Sequence, residues 1–337
     1  DAQIASKGGA LLMSDLNKKI DNKYRPRLNS EQQEQFLQET LSGKHAKAEV
    51  NRIISVFKRF EPYEKENHCD LLLLDDDIII EVIGSFKGSS SSLIRKYWAP
   101  LSKYEKWCAS KGLPVTGNIK RARKKSPYPG LQVISSPTQL SMMIDDFFEP
   151  INKNMLDNLT RMITWCIYSG MAMDDIEKLE RKNLDFENQR IHTANGSYEM
   201  YAESMMIFRN ICKLKEYNVS IKGGYIKKIQ RPQRYIATYP DYFKSKFTDI
   251  YISRMRYIRE KKGKDNRYLS SGVVSDSGKF YRIYVKELMG TPVEFQNLTE
   301  FGGDDGGENK SAIKQEAIHN YKIWRKAAHP EYREYEP

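Results

Sequence analysis

The sequence lacks nearly everything that would place it in a membrane or build it around a metal. No run of 18 apolar residues occurs, and the longest apolar stretch, residues 71–83, is broken by Asp75, Asp76 and Asp77. A helical membrane span is therefore excluded. Cysteine is scarce: Cys69, Cys108, Cys166 and Cys212 are widely spaced, with no CxxC pair and no Cys/His cluster. That spacing argues against a disulfide scaffold and a structural zinc site, and it suits a reducing cytoplasm. The histidines His45, His68, His192, His319 and His329 form no HxH or HExxH spacing, so neither a metal nor another cofactor is expected. No basic n-region followed by an apolar h-region opens the chain, so a secretory leader is not expected. Residues 1–12, small and polar and preceding Met13, read as a vector-derived leader.

What the sequence has is positive charge. It carries 55 Lys and Arg against 44 Asp and Glu, a net of +11. Such an excess favours a polyanionic partner. The charge is also concentrated. Between Lys87 and Lys125 stand eleven basic residues and one acid, Glu105. Within that window lies the run Lys120, Arg121, Arg123, Lys124 and Lys125.

The length, 337 residues, suggests two domains at roughly 100–200 residues each. Residues 30–60 read as helical, with Val50, Ile53, Ile54, Phe57 and Phe60 at helical spacing. Residues 71–83 fit either a strand pair or a helix–turn–helix. Residues 93–108 read as a helix, with Leu93, Tyr97, Leu101, Tyr104 and Cys108 on one stripe. A first helical domain over 13–113 follows from this. Residues 114–137, with Pro114, Pro127, Pro129 and Pro137, read as a basic linker. A second domain, 138–337, is expected to open with helices over 137–148, 154–168 and 174–179. A hairpin is expected around Asn195-Gly196, a pair that favours a tight two-residue turn. Further helices are expected over 202–212, 247–261, 278–288 and 310–327. Residues 302–309 read as a glycine-rich loop.

One stretch carries a resemblance. Trp165-Cys166-Ile167-Tyr168-Ser169-Gly170-Met171-Ala172-Met173-Asp174-Asp175-Ile176-Glu177-Lys178-Leu179 resembles the first box of the tyrosine recombinases, the phage integrase family. Asn183-Leu184-Asp185-Phe186-Glu187-Asn188 is similar to that family's entry to its small hairpin. The resemblance implies a mainly α fold with a small β-sheet: a helical core-binding domain followed by a catalytic-like domain. It also implies DNA cleavage by a tyrosine, with two arginines on the phosphate and a hairpin lysine as acid. Several of those positions depart from the pattern. Ala172 stands where the first arginine is expected, and Thr193–Ser197 supplies no lysine. Lys279 stands at the histidine of the second box, Arg282 matches its arginine, and Tyr321 is the positional candidate for the nucleophile. An arginine grips two phosphate oxygens through its planar fork, and alanine offers no donor.

These departures point to a recombinase fold kept for DNA binding, with no catalytic residue assigned. The chain as a whole also resembles the recombinase-like lysogeny repressors of SPβ-type Bacillus phages. That likeness implies a transcriptional repressor in the cytoplasm of a bacterial host, bound to double-stranded DNA at phage operators. It is compatible with self-association on DNA and with a small peptide or protein antagonist. Candidate DNA contacts are Lys87, Arg95, Lys96, Lys103, Lys120, Arg121, Arg123, Lys124, Lys125, Lys227, Lys228, Arg231, Lys279 and Arg282. The alternatives are a divergent active recombinase and a recombination accessory factor.

Overall fold

The computed structural model describes residues 31–40, 46–148, 155–213, 216–220, 226–230, 236, 251, 255–257, 260, 269–296 and 310–331. The chain forms two compact units that divide between Gly130 and Leu131, residues 87–91 belonging to the second. The described secondary structure is mostly helical, with one three-stranded and one two-stranded antiparallel sheet.

The first unit contains α1 (Glu31–Thr40), α2 (Ala46–Asn67), α3 (Asp76–Gly84), α4 (Ser91–Ser110) and α5 (Asn118–Lys125). Its core gathers Phe36, Phe57, Tyr104 and Trp107 with Ile53, Leu71, Ile79, Ile83, Ile94 and Trp98. The Phe36 and Phe57 rings lie 5.2 and 5.1 Å from Tyr104. The Tyr104 hydroxyl donates to Asp70 at 2.7 Å, which satisfies a polar atom inside an apolar cluster. Buried Glu64 accepts from the Gln33 amide at 2.7 Å and from the Leu71 backbone N–H at 2.9 Å.

Two sequence readings change here, and one that was left open is decided. The stripe on α4 holds at Leu101, Tyr104 and Cys108 but is turned by one residue at its start: Ile94 and Trp98 are buried, while Leu93 and Tyr97 are only half-buried. The helix's two tryptophans, Trp98 and Trp107, drive that rotation by burying the largest apolar surfaces it has. Residues 71–83 form a short 3-10 turn, Leu71–Leu73, followed by α3, and no strand pair. The proline-rich segment 114–137 contains a helix, α5, whose Ile119 and Ala122 are fully buried in the first unit's core. The prolines flank α5 at 114 and 127 rather than interrupting it. Buried Asn118 fixes it by donating to the carbonyls of Leu71 at 3.0 Å and Leu74 at 2.7 Å. The Leu71 carbonyl also accepts from the Leu74 backbone N–H, so Asn118 adds a second bond there.

The second unit contains α6 (Pro137–Phe147), α7 (Met155–Tyr168), α8 (Met173–Glu177), β1 (Leu184–Asp185), β2 (Arg190–His192), β3 (Ser197–Glu199), α9 (Met205–Lys213), β4 (Glu216–Ser220), β5 (Ile226–Gln230), α10 (Ser271–Leu288) and α11 (Lys310–Ala328). Ser136 caps α6 by accepting from the Gln139 N–H, with Pro137 at the first helical position. Helix α7 runs through the core, burying Leu159, Met162, Ile163, Trp165, Cys166 and Tyr168. The Asn195-Gly196 turn joins β2 to β3, in register Ile191 to Tyr198. Helix α10 starts at Ser271, seven residues before the sequence pattern suggests, because Ser270 caps it and Val273 and Val274 are buried. Lys227 and Lys228, read only as cations, lie on β5, which pairs antiparallel with β4. The vector-like leader 1–12 and the loop 302–309 lie outside the described residues, as does most of the helix expected over 247–261. Among the described residues no helix is long and apolar enough to cross a membrane, and no cluster of metal-ligating side chains occurs.

Candidate functional site

The box around Gly170 is built by the end of α7. Gly170 donates to Ile167 and Met171 donates to Cys166, closing the helix with paired backward bonds. Such a cap needs a left-handed residue, and Gly170 has φ +91°. Its first role is thus to end the helix. Ala172 follows as the exposed N-cap of α8.

Arg282 reaches this box from α10. Its guanidinium donates to the Tyr168 carbonyl at 2.6 Å. It also lies so close to Gly170 that a Cβ there would stand 2.7 Å from a guanidinium nitrogen. Helix α10 comes this near because Gly278 has no side chain: a Cβ at that position would meet the Tyr168 carbonyl oxygen at 1.9 Å. The two recombinase-like boxes, distant in sequence, are therefore adjacent through two glycines. Among the described residues Arg282 makes no ion pair, so its charge remains available.

Around Arg282 stand three phenols. Tyr168 and Tyr201 are buried, with rings 5.3 Å apart, and the half-buried Tyr281 ring lies 6.3 Å from Tyr168. Burial pushes the Tyr201 phenol up to about 12, opposed by the nearby Arg282 charge. Burial pushes Tyr168 up as well. All three are therefore neutral at ordinary pH and serve as an apolar wall with hydroxyl tips.

The hairpin is tied to the first box through Asp175. The buried Asp175 carboxylate accepts from the Asn195 amide at 2.7 Å and from the Tyr198 hydroxyl at 3.1 Å. Ser169 adds a hydroxyl bond to the Glu199 carbonyl at 2.7 Å. The β2–β3 turn, where a lysine would be expected, is held instead by Asn195. Sequence reasoning missed Asp175 and Asn195 as a pair, although an acid two residues before a helix end and an Asn-Gly turn were both legible.

Lys279 and Tyr321 do not join Arg282. Lys279 pairs along its own helix with Asp276 at 3.6 Å. Tyr321 is fully buried among Phe280, Ile283, Tyr284 and Trp324. Its hydroxyl donates to Glu287, which also takes Arg325 at 2.9 Å. Burial and the Glu287 charge push the Tyr321 phenol up, which opposes formation of a nucleophilic phenolate. Arg282 and Glu287 are five residues apart on α10, about 140° around the helix. Arg282 faces Tyr168, and Glu287 with Tyr321 lies on another side.

The remaining candidates sort by exposure. Arg95, Lys96, Lys103, Lys120, Arg121, Arg123, Lys124 and Lys125 are exposed, and Lys87 is half-buried. The cation run is less bare than its sequence window suggests, because carboxylates reach it from outside that window. Lys103 pairs with Glu49, Lys111 with Glu39 at 2.8 Å, and Arg121 with Asp76 at 3.0 Å. Lys125 pairs with Asp77 at 3.2 Å. Helix α5 then divides its cations by angle. Ile119 and Ala122 face inward, Lys120 and Lys124 face outward one turn apart, and Arg121 and Lys125 turn toward α3. Arg123 and Lys124 make no ion pair among the described residues. Lys227 and Lys228 lie on β5, and Arg231 falls outside the described residues.

Comparisons place the first unit. Residues 28–110 match the family model described as MrpR, N-terminal core-binding domain. No curated protein matches the chain. Among solved structures the chain is similar to the Tn1549 transposon integrase, residues 82–397, solved in complex with circular intermediate DNA. That alignment has 12% identity and a TM-score of 0.30, and covers 86% of this chain and 99% of that chain.

Proposed function

We propose that the protein is a sequence-specific DNA-binding repressor that maintains phage lysogeny, built on a recombinase-like scaffold that has lost its chemistry. The observation that carries this reading is the separation at α10. The one retained arginine, Arg282, sits at the first box against Tyr168 and Gly170, while Tyr321 is buried on another side of the helix in the grip of Glu287 and Arg325. A half-buried arginine with neutral partners suits a phosphate that is held. A buried tyrosine bound to a carboxylate does not suit attack on one. The MrpR-type core-binding domain supports the assignment to DNA. The exposed face of α5 supplies phosphate contacts, which position the protein without reading bases. The first box, with its unreplaced donor, has lost a contribution to transition-state stabilisation worth about 10²–10³ in rate for a typical donor.

The test is a gel shift on fragments of the protein's own replicon against excess unrelated duplex, with each sample also run under denaturing conditions. A discrete shift that vanishes on denaturation is expected. A band that survives denaturation and disappears in Tyr321→Phe would mean covalent chemistry and overturn the reading. Binding blind to sequence, with tight capture of a protein, would favour an accessory factor.

A further inference from the structure

The acidic start of α3 lies against the basic helix α5, within the first unit. Asp76 is only 12% exposed at its side chain and accepts two bonds from Arg121, at 3.0 and 3.3 Å. A third Arg121 donor goes to the Thr116 carbonyl. Lys125 bridges Asp76 at 3.6 Å and Asp77 at 3.2 Å. Arg121 and Lys125 are themselves more than half exposed. The two cations thus stand at the surface with their charge already answered, beside Lys120, Arg123 and Lys124, whose heads face solvent.

A carboxylate and a DNA phosphate make the same demand on a guanidinium: a bidentate, charge-assisted pair. The two cannot be served at once. Asp76 and Asp77 are placed to compete with phosphate for two of the five cations on α5.

We propose that Asp76 and Asp77 act as an internal competitor for the DNA backbone, withholding Arg121 and Lys125 from non-specific phosphate contact and so determining specificity. This rests on the reading of the protein as a DNA binder. Sequence-blind affinity comes from the number of phosphates neutralised, while base contacts add discrimination on top. A protein that withholds two surface cations weakens its grip on all DNA alike. Operator contacts made elsewhere then stand out against a lower background.

The experiment measures the affinity of the full chain for a random-sequence 30-base-pair duplex across a salt series. The variants are Asp76→Asn with Asp77→Asn, and Asp77→Asn alone, which alters only a fully exposed side chain and guards against loss of folding. A matched control, Glu31→Gln with Glu34→Gln, removes the same charge from exposed positions of α1. Each freed cation that reaches a phosphate steepens the log affinity–log salt slope by about 0.9. The double variant is expected to steepen the slope by up to about 1.8 and to tighten random-duplex binding several-fold at low salt. The single variant is expected to give part of that. An unchanged slope in a protein that still binds duplex would overturn the competitor and leave DNA binding standing. Equal tightening in the α1 control would overturn it too, since net charge alone would then explain the effect. Absence of any salt-dependent binding by the unaltered protein would overturn the functional reading itself.

Discussion

Arg121 in the first unit and Arg282 in the second begin alike and end differently. Each donates to a backbone carbonyl, that of Thr116 or of Tyr168. Arg121 adds a two-pronged bond to Asp76, whereas Arg282 has no ion pair among the described residues and is walled by neutral phenols. The first arginine is a neutralised strut between helices. The second is a charge held in readiness by a neutral acceptor. The lesson is that the residue type says little about anion binding until its acidic neighbours are known, because a carboxylate cancels what a carbonyl leaves intact.

The largest expected effects test the frame that creates this difference. In each unit one glycine allows a close backbone approach: Gly278 against the Tyr168 carbonyl, and Gly130 against the Phe86 carbonyl, whose oxygen a Cβ at Gly130 would meet at 2.0 Å. Neither oxygen has room to yield, so Gly278→Ala and Gly130→Ala are each expected to cost about 3 kcal/mol or more. Denaturant melts followed by tryptophan fluorescence check this, since Trp98 and Trp107 report the first unit and Trp165 and Trp324 the second. A melt within error of the parent for Gly278→Ala would mean α10 does not approach Arg282's box as described.

Next in size, Arg282→Ala is expected to weaken DNA binding by about 2 kcal/mol, the scale of a charge-assisted bond, with Arg282→Lys only partly restoring it. Arg121→Ala is expected to lower thermal stability instead, with a much smaller loss of affinity. Quantitative gel shifts and melting curves on both variants decide it, and a reversed pattern would break the comparison between the two arginines.

Tyr321→Phe removes one hydroxyl bond to Glu287 while leaving Arg325 in place. A loss of about 1 kcal/mol in stability is expected, with DNA affinity unchanged. A large loss of affinity at normal stability would return Tyr321 to the DNA site.

The smallest effect concerns pH. Hydrogen bonds from Lys111, Trp107 and Gln35 hold the Glu39 carboxyl down at about 2. A carboxylate lowered on folding contributes stability that is present above its ordinary pKa near 4.5 and lost as pH falls toward 2. The first unit is therefore expected to lose stability over that acid range, and Glu39→Gln to flatten the profile. Identical acid melts for both proteins would remove Glu39 from this role.

Much of the architecture was written locally. Helix periodicity marked α6, α7 and α11 nearly to their ends, since core-facing positions recur every three or four residues. The Asn-Gly pair marked where β2 turns into β3, although the turn is not the tight two-residue one expected: it spans Thr193 to Gly196, and neither Asn195 nor Gly196 takes a positive φ. The box from Trp165 to Leu179 was visible as a string, and so was the missing cation at Ala172. The helix α5 was not visible, because eight residues rich in lysine and arginine between prolines carry only Ile119 and Ala122 as apolar signal. The pairing of β4 with β5 was hidden for a similar reason, since β5 was read only as part of a basic run and β4 gave no strand signal that was used.

The sequence by itself determined the two-part helical plan, the excess of positive charge and the identity of each residue in the two boxes. These follow from composition and short-range pattern, which are complete in one dimension. Only the tertiary structure decided which charges remain free. Asp76 lies forty-five residues before Arg121, and Tyr168 more than a hundred before Arg282. Coulomb interaction depends on distance in space, so a count along the chain assigned the α5 run a charge that folding had already partly cancelled.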